Sequence, residues 1–405
     1  MKSIGLFWSN NDSEEKKCET CPYSQQEIND QTSSTKKENT TFDFQINLWN
    51  SKVRNIATGK VTRFRAIDFG VVCPLSTRTL IFLLPFEVKY EDFQDLVKCL
   101  SLDTDLLCTV FNDDLRSSSE PSKSYHTIDG ISDSSDIHYL MYELSKENIK
   151  NLRYDSQLNL TQITITINSI FDDGKHSGYS LFLRFRIKLH NFDAFAKKKD
   201  VSNDWLQSAF SSTYMFDVRL NDVRELSKKR KELVEHQGYQ LPEFRKVHFF
   251  YMTDSEEIVE NGSLIKLDRR LLENDRWHSY LGENLEFTTE NVAHHWKKKE
   301  DTKLSVKEVA TEGDNSTQLK VVQIKKTVRN FTIFFKTEFA DIRKTRVFVY
   351  LILIILLGII SSSADRSFIS SIFPDQYNYE YGAWLGTIVV LFLIVYFLII
   401  KTTCR

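Results

Sequence analysis

Glycine, proline and cysteine are all scarce in this sequence of 405 residues. With 13 glycines and 6 prolines, the chain is neither collagen-like nor proline-rich. The 6 cysteines are too sparse for a disulfide scaffold, which favours a reducing compartment. Neither sign of charge is in excess, since 53 Lys and Arg stand against 55 Asp and Glu, so the chain is neither a basic nucleic-acid arm nor an acidic tail. Most of it is expected to fold in water.

The sequence also lacks the short motifs by which many enzymes are recognised. None of the strings G-x-x-x-x-G-K-[ST], G-x-G-x-x-G, G-x-S-x-G and H-E-x-x-H is present. Phosphate-cradling loops, the serine-hydrolase elbow and zincin chemistry therefore lack their signatures. We predict that the protein is not an enzyme and that it has no catalytic residues, cofactor or metal ligands. An active site assembled from residues scattered along the chain is the alternative.

One C-x-x-C pair, Cys18 and Cys21, has the chemistry of a metal or redox site. A zinc site needs a second pair of ligands at a suitable spacing, and the other cysteines do not supply one. A redox site needs the pair between a strand and a helix, whereas a polar tail surrounds it on both sides. Two thiols in a flexible segment are the favoured interpretation.

Two histidine-containing groups also have residue types that occur in metal sites. His294 and His295 are adjacent, so on a strand or helix their side chains point in different directions. Asp172, Asp173 and His176 share a segment rich in turn-forming residues, and hairpin geometry already explains them. Neither group is predicted to bind a metal.

Two long apolar segments close the sequence. Residues 347–364 and 384–400 contain no charge, and each is close to the ~20 residues that a helix needs to cross a bilayer. Core helices of a soluble domain keep polar residues on one edge. These two segments have no such polar edge. We predict transmembrane helices over both segments, joined as a hairpin by an external loop over residues 365–383.

The flanking charges predict the orientation of this hairpin. Arg343, Lys344 and Arg346 precede the first apolar segment, and Lys401 and Arg405 follow the second. By the positive-inside rule, both termini face the cytoplasm, with residues 401–405 as a cytoplasmic tail. The N-terminus has too few apolar residues for a signal peptide. The expected location is the inner (cell) membrane, with two spans.

The segment before the apolar pair divides into a tail and a folded region. Residues 9–41 hold almost no large apolar side chains, and we predict a disordered tail over residues 1–41. Residues 42–340 contain several runs in which apolar and polar side chains alternate, which is typical of half-buried strands. The predicted fold class is α+β, with a β-rich cytoplasmic domain over 42–340 followed by the C-terminal two-helix transmembrane hairpin.

Within this domain we predict strands over 42–48, 79–86, 215–220 and 246–252, and helices over 91–102 and 221–234. A long loop is predicted over 111–136, where Ser, Asp and turn-forming residues are concentrated. Strand-like alternation before and after a turn at 172–178 predicts one long β-hairpin. Residues 321–324 and 331–335 are predicted to form a final strand pair.

Basic residues are concentrated at two places. One is residues 227–231 of the predicted helix, and the other is Arg184, Arg186 and Lys188, on the polar side of the predicted hairpin. A solvated surface, a contact with anionic lipid headgroups and a contact with nucleic-acid phosphates all remain open for these clusters.

The layout of residues 42–340 followed by spans at 347–364 and 384–400 resembles the membrane effectors of bacterial anti-phage systems. The nearest family is the two-transmembrane effector encoded beside a retron reverse transcriptase. The resemblance implies an antiviral toxin that is partnered with a reverse transcriptase and its RNA-linked DNA. It also implies membrane damage and abortive infection when that complex is disturbed.

The composition of the spans adds a physical requirement to this hypothesis. Two apolar spans without an intramembrane charge line a pore poorly as a monomer, so permeation requires several hairpins to associate in the lipid bilayer. Gly358 and residues 361–363 offer small side chains for such self-association. The alternatives are a static inner-membrane anchor that recruits a cytoplasmic partner, and a membrane-bound enzyme without a recognisable motif.

Overall fold

A computed structural model describes residues 3–10, 41–119, 123–132, 137–168, 176–199, 211–282, 284–310, 317–340, 348, 350–355, 357 and 358. Contacts divide the chain into two units, one of Met1–Lys197 with Met215–Thr337 and one of Lys198–Tyr214 with Glu338–Arg405. Strands predominate over helices, so the β-rich part of the predicted fold class is confirmed.

The strands of the described residues are β1 (Ser3–Ser9), β2 (Thr41–Asn55), β3 (Val61–Cys73), β4 (Thr79–Leu84), β5 (Phe93–Asp95), β6 (Leu115–Ser119), β7 (Tyr125–Gly130), β8 (His138–Tyr142), β9 (Ile149–Asp155), β10 (Leu160–Thr166), β11 (Ser180–Lys188), β12 (Ala196–Lys198), β13 (Ser211–Leu220), β14 (Glu243–Asp254), β15 (Ile258–Asn261), β16 (Leu267–Leu272), β17 (Leu285–Phe287), β18 (Asn291–Lys299), β19 (Asp301–Ala310), β20 (Thr317–Lys326) and β21 (Phe331–Ala340). The α-helices with defined bounds are α1 (Val97–Leu102), α2 (Thr104–Phe111), α3 (Val223–Lys231) and α4 (His278–Leu281). Short 3₁₀ turns cover Tyr90–Asp92, Lys146–Asn148 and Asn274–Trp277, and a π-helical turn, Glu232–His236, follows α3.

The smaller of the two main sheets has eight strands in the order β15-β21-β13-β1-β4-β10-β9, with β12 beside β13. Strand β1 lies between β13, to which it is parallel, and β4, to which it is antiparallel. Its residues from Ser3 to Trp8 are buried, because Phe7 packs against Leu226 of α3 on one face of the strand and Trp8 packs against Phe42 of β2 on the other. The prediction of a disordered tail over residues 1–41 is therefore wrong for Ser3–Ser9, while residues 11–40, including Cys18 and Cys21, lie outside the described residues.

The larger sheet has eleven strands in the order β16-β18-β14-β2-β3-β11-β8-β7-β6, with β17 beside β2 and β5 beside β11. Most pairs are antiparallel, but β2 is parallel to β14 and β8 is parallel to β11. Strands β19 and β20 form a separate two-stranded hairpin. Mixed pairing of this kind places strands side by side that are far apart in the sequence.

Aromatic side chains from the two main sheets pack against each other. The ring centroids of Phe82 on β4 and Phe185 on β11 are 5.0 Å apart. The rings of Tyr251 on β14 and Phe335 on β21 are also 5.0 Å apart. Contacts across the gap between two sheets define a β-sandwich, in which alternate residues of each strand fill the shared core. The alternation in the sequence therefore marks true sheet faces.

The opposite face of the larger sheet, which we call the outer face, is covered in part by α1, α2, α4 and the turn Asn274–Trp277. A second apolar core lies beneath these short helices, and it includes Trp49, Leu100, Leu106, Met252 and Tyr280. Where these short helices cover the outer face, the central strands β2, β3 and β11 are buried on both faces. The charged side chains of Asp68, Arg184 and Arg186 on this face are consequently shielded from water.

Several predicted elements are confirmed, with adjusted bounds. The alternating run at 42–48 lies in β2, the run at 79–86 lies in β4, and the predicted strands at 215–220 and 246–252 lie in β13 and β14. The charged helix predicted over 221–234 is α3 with the π-helical turn after it. Of the helix predicted over 91–102, only Val97–Leu102 is helical, because Phe93–Asp95 pairs with β11 instead.

One prediction of a loop and two predictions of strand pairing are wrong. The segment 111–136 is not simply a loop, since it contains the end of α2 and the paired strands β6 and β7. Strands β10 and β11 do not form one hairpin but belong to different sheets. Strand β20 pairs with β19 and not with β21. In the two pairing cases the local pattern identified strand-forming residues, while the actual partner strand could not be read from that pattern.

The predicted membrane hairpin lies mostly outside the described residues. Of the first predicted span, residues 350–355 and 357–358 are helical, as is residue 348. The external loop over 365–383, the second span over 384–400 and the tail over 401–405 lie outside. Among the helices that are described, none is both long enough and apolar enough to cross a membrane.

The position of β1 between two strands generates a stability prediction. Phe7 is fully buried and packs in a cluster with Ile81, Leu83 and Leu226. Phe7→Ala should lower the free energy of unfolding by about 3–5 kcal/mol, because it leaves a cavity in this cluster. Leu102→Ala is the control, since Leu102 is 74% exposed and should matter by less than about 0.5 kcal/mol. Denaturation of the full chain in detergent, followed by tryptophan fluorescence, measures both, and equal effects would contradict a buried β1.

Candidate functional site

The outer face of β14 and β18 carries a surface rich in lysine and histidine. Lys246, His248 and Phe250 alternate along β14, and His295, Lys297 and Lys299 alternate along β18. The register pairs Lys246 with Lys299, His248 with Lys297 and Phe250 with His295. These residues share one face because side chains two apart on a strand point to the same side. We call this set of six residues the lysine–histidine face.

Three rings in this face form a nearly parallel stack. The centroids of Phe250 and His295 are 4.2 Å apart, with planes inclined by 5°. His295 also stacks on His248 at 5.1 Å, and His248 Nδ1 lies 3.0 Å from His295 Nε2. Phe250 packs against the second apolar core, so the stack connects that core to the more exposed lysines. The rings are therefore held in place from one side.

The histidines of the stack are neutral at physiological pH. Burial lowers the pKa of His248 to about 3, with further lowering by His295 and the neighbouring lysines. Burial likewise lowers the pKa of His295 to about 4, and Lys297 contributes to the shift. Neutral imidazoles can donate or accept hydrogen bonds without adding charge. The positive charge of this face consequently comes from its lysines.

The neighbouring lysines of the face disfavour the charge on Lys297. The pKa of Lys297 is lowered, first by partial burial and then by Lys299 and Lys246. The nearby carboxylate of Asp43 is paired with Arg245, and that of Asp268 is paired with Lys266. Like charges that crowd together in this way destabilise the unbound protein, and an anion placed among them would relieve the repulsion.

Beside this face, on β2, β3 and β11, the outer face is buried and contains Arg184. Its guanidinium donates to Gln45 Oε1 at 2.7 Å and to the Tyr280 hydroxyl at 2.9 Å. Asn47 accepts a further bond when its amide oxygen is turned toward Arg184. Gly70 makes room for the guanidinium, since a Cβ atom there would lie 2.9 Å from Arg184 Nη1. In the described residues, these hydrogen-bond acceptors of Arg184 are all neutral.

Arg186, two residues along β11, forms a buried ion pair with Asp68. The Nε–Oδ1 distance is 2.6 Å, and the Nη2–Oδ2 distance is 3.0 Å. Asp68 also accepts from Trp49 Nε1 at 2.6 Å and from the Tyr280 hydroxyl at 2.9 Å. Burial alone would lower the pKa of Arg186, but Asp68 outweighs it and raises that pKa. Arg186 thus pairs with the buried carboxylate, whereas the neighbouring Arg184 is satisfied by the neutral acceptors named above.

This arrangement corrects the prediction of an exposed basic patch on β11. Arg184 and Arg186 are 1% and 0% exposed, because α4 and its preceding turn cover the outer face of the strand. Only Lys188 of the predicted patch is exposed. Alternation in the sequence predicted correctly that the arginines lie on the face opposite the apolar side chains. It could not show that another segment buries that face as well.

Among the described residues, the other candidate metal ligands are not brought together. Asp172 and Asp173 lie outside the described residues, and His176 contacts Tyr125 at 3.3 Å. His294 and His295 point to opposite faces of β18, as predicted, with His294 buried toward the sandwich core beside Tyr251. Within the described parts of the chain, no group of His, Cys, Asp or Glu side chains has the proximity of a metal site.

The second basic cluster of the sequence lies on the surface. Residues 227–231 form the last turns of α3, and Lys228 is exposed while Lys229 pairs with Glu232 at 2.8 Å. The alternating pattern of residues 246–252 predicts a strand but does not mark His248 and Phe250 as site residues. Their alternation with Lys246, together with the lysines that follow His295, was the available signal.

Comparison with known proteins adds no relative to this description. No protein-family model matches the chain, and no curated protein matches it.

The Arg186–Asp68 pair generates a stability prediction for this part of the sheet. Asp68→Asn should lower the free energy of unfolding by about 3–5 kcal/mol, because it leaves a buried guanidinium without a countercharge. Glu286→Gln is the control, since the Glu286–Arg54 pair is exposed and should contribute no more than about 1 kcal/mol. Denaturant titration of both full-length variants measures the difference. An Asp68→Asn variant as stable as the control would contradict a buried, charged pair.

Proposed function

We propose that this protein is a membrane effector of an anti-phage defence system. Its β-rich unit, the domain predicted over 42–340, is held by a partner complex or senses the state of that complex. Its C-terminal transmembrane hairpin damages the inner membrane to give abortive infection. The proposal combines the resemblance in layout with two features of the described residues. One is an apolar helix surface, and the other is the lysine–histidine face.

The observation that carries the proposal is the exposure of large apolar side chains on the helical residues of the first predicted span. Phe348, Leu351, Ile354, Ile355 and Leu357 are between 53% and 64% exposed. In water, leaving such side chains exposed forgoes roughly 1.5–3 kcal/mol each relative to full burial. These positions cover about half of the helix circumference at 3.6 residues per turn. Lipid on that surface would remove the cost, which supports a membrane span over 347–364.

The lysine–histidine face supports a role for the β-rich unit in binding a partner. Crowded lysines suit the closely spaced phosphates of a nucleic acid, and neutral imidazoles add hydrogen-bonding groups beside them. A reverse transcriptase with its RNA-linked DNA, the partner that the resemblance implies, presents such phosphates. We propose that contact with them holds the effector silent, and that several hairpins associate in the membrane when the contact is lost.

Expression of the protein without a partner tests the membrane part of the proposal. The unmodified chain should depolarise the inner membrane of bacterial cells, read with a potential-sensitive dye, and should stop their growth. Ile354→Arg should abolish both effects, because a charge at mid-span costs about 2.5–3.5 kcal/mol on insertion scales. Ile354→Leu is the matched control and should remain toxic. If the unmodified chain leaves potential and growth unchanged even with its trigger supplied, the effector proposal fails and a static anchor takes its place.

Binding of a single-stranded DNA oligonucleotide tests whether the lysine–histidine face contacts nucleic-acid phosphates. Fluorescence anisotropy with the full chain in detergent should show affinity that falls as salt rises. Lys297→Ala should reduce the slope of log K against log salt by about 0.7, the value expected for one lost phosphate contact. Lys228→Ala on α3 is the control and should leave the slope unchanged. An effect of Lys228→Ala equal to that of Lys297→Ala would place the contact elsewhere.

A further inference from the structure

A serine, a histidine and a glutamate are linked by hydrogen bonds at one edge of the larger sheet. The edge consists of β8, β7 and β6, and the register places Ser119 opposite His126 and His126 opposite Met141. Ser119 Oγ lies 2.7 Å from His126 Nδ1, and His126 Nε2 lies 2.7 Å from Glu143 Oε1. A serine, a histidine and an acidic residue linked in this order by hydrogen bonds form the arrangement that activates a serine nucleophile in hydrolases.

The chemistry of the partners determines where the protons lie. An ionised carboxylate can only accept hydrogen bonds, so His126 Nε2 carries the ring proton and donates it to Glu143. His126 Nδ1 is then an acceptor, and the Ser119 hydroxyl must be the donor of the bond between them. The serine proton therefore already points at a base. This is the proton arrangement that general-base catalysis requires.

Burial differs among the three residues in the way that catalysis needs. His126 is 8% exposed, so its ring is shielded from water and held between two partners. Ser119, in contrast, is exposed at the end of β6, where a substrate can reach it. The Glu143 side chain is 35% exposed, which leaves a charged oxygen beside the imidazole that would gain a proton.

The strand register also supplies a donor for a developing oxyanion. The backbone N–H of Ile131 donates to the backbone carbonyl oxygen of Asp114, so residues 114 and 131 form a hydrogen-bonded pair. Hydrogen-bonded and non-hydrogen-bonded pairs alternate along antiparallel strands, so the pair Ser119 and His126 is non-hydrogen-bonded. The N–H of Ser119 must then point away from β7. The N–H of Leu115, which has the same orientation, donates to Cys108 Sγ at 3.3 Å. In the described part of the chain, no strand pairs with β6 on that side.

We propose that Ser119 and His126, with Glu143 as a positioning residue, form a hydrolytic site for carboxylic esters. Ser119 Oγ bonds to the ester carbonyl carbon while its proton moves to His126 Nδ1, and the Ser119 N–H stabilises the carbonyl oxygen. The C–O bond to the alcohol then breaks, and the alcohol leaves with the proton from His126. Water repeats the sequence and releases the acid. A single backbone donor suits esters better than amides, because alcohols are better leaving groups than amines.

This activity is independent of the membrane function proposed above. The residues involved lie in the β-rich unit, and none belongs to the lysine–histidine face. It gives a concrete site to the alternative of an enzyme without a recognisable motif. The serine lies on an edge strand and not on a strand-to-helix turn, so a search for the G-x-S-x-G string could not find it.

Labelling of the full chain in detergent with a fluorophosphonate probe tests the site. In this reaction Ser119 Oγ bonds to phosphorus, fluoride leaves, and His126 takes the proton. Mass spectrometry should find the probe on Ser119, and Ser119→Ala should abolish labelling. Ser118→Ala is the matched control, because Ser118 is an exposed neighbour on the opposite face of the strand and its loss should change nothing. No label on Ser119, under conditions that label a known serine hydrolase, would overturn the proposal.

Variants at the two partners separate catalysis from structure. His126→Gln should slow labelling and p-nitrophenyl acetate hydrolysis by about 10²-fold or more, the scale of general-base assistance. Glu143→Gln should also slow both reactions, while Glu143→Asp should restore part of the rate because a carboxylate is again present. Melting curves identify any variant that fails to fold, and Ser119→Ala remains decisive in that case. Labelling that is equally fast in a folded His126→Gln variant would show that the histidine is not a base.

Discussion

The ion pair between Arg186 and Asp68 joins the central strands of the larger sheet where they are covered on both faces. Neither side chain can reach water, so each charge must be satisfied by the protein itself. Asp68 on β3 accepts from Arg186 on β11, from Trp49 on β2 and from Tyr280 on α4. One carboxylate thereby links three strands to the helix that covers them. The position of α4 over the sheet depends on this contact.

The same burial influences the surface beside the network. Arg184 has neutral hydrogen-bond acceptors, among them Gln45, which lies next to His248 in the parallel pairing of β2 with β14. The outer face therefore changes from a buried guanidinium, through amides and neutral imidazoles, to the exposed Lys297 and Lys299. Positive charge is therefore present both on the buried Arg184 and on the exposed Lys297 and Lys299. A surface arranged in this way attracts anions, and the proposed contact with nucleic-acid phosphates follows from it.

Both proposed sites of the β-rich unit use regular strands as their support. The lysine–histidine face lies on β14 and β18, and the Ser119 site lies at the edge formed by β6, β7 and β8. Paired strands hold side chains more firmly than loops do, which suits sites that depend on short hydrogen bonds. The two sites lie on different strands of the sheet, so variants at one can be tested without changing the other.

Much of the strand content was predictable because alternation is a local property. The period of two in β2 is visible in the sequence, and so is the apolar run of β4. The segment of β1 was missed because its seven residues, followed by a polar stretch, were attributed to a tail. The candidate sites were harder to predict. His126 and Glu143 are 17 residues apart, and nothing in the intervening sequence indicates that β7 and β8 place them within hydrogen-bonding distance.

The sequence by itself determined the alternating strands such as β2, the apolar run of β4 and the positions of the two long apolar segments, since these depend on neighbouring side chains. Only the tertiary structure decided which strands are neighbours, and so separated β10 from β11. It also decided that Arg184 and Arg186 are buried, while Lys297 and Lys299 remain exposed. The physical reason is that burial of a charge depends on which distant segment covers it. That choice is made by the packing of the whole sheet and not by the alternation within one strand.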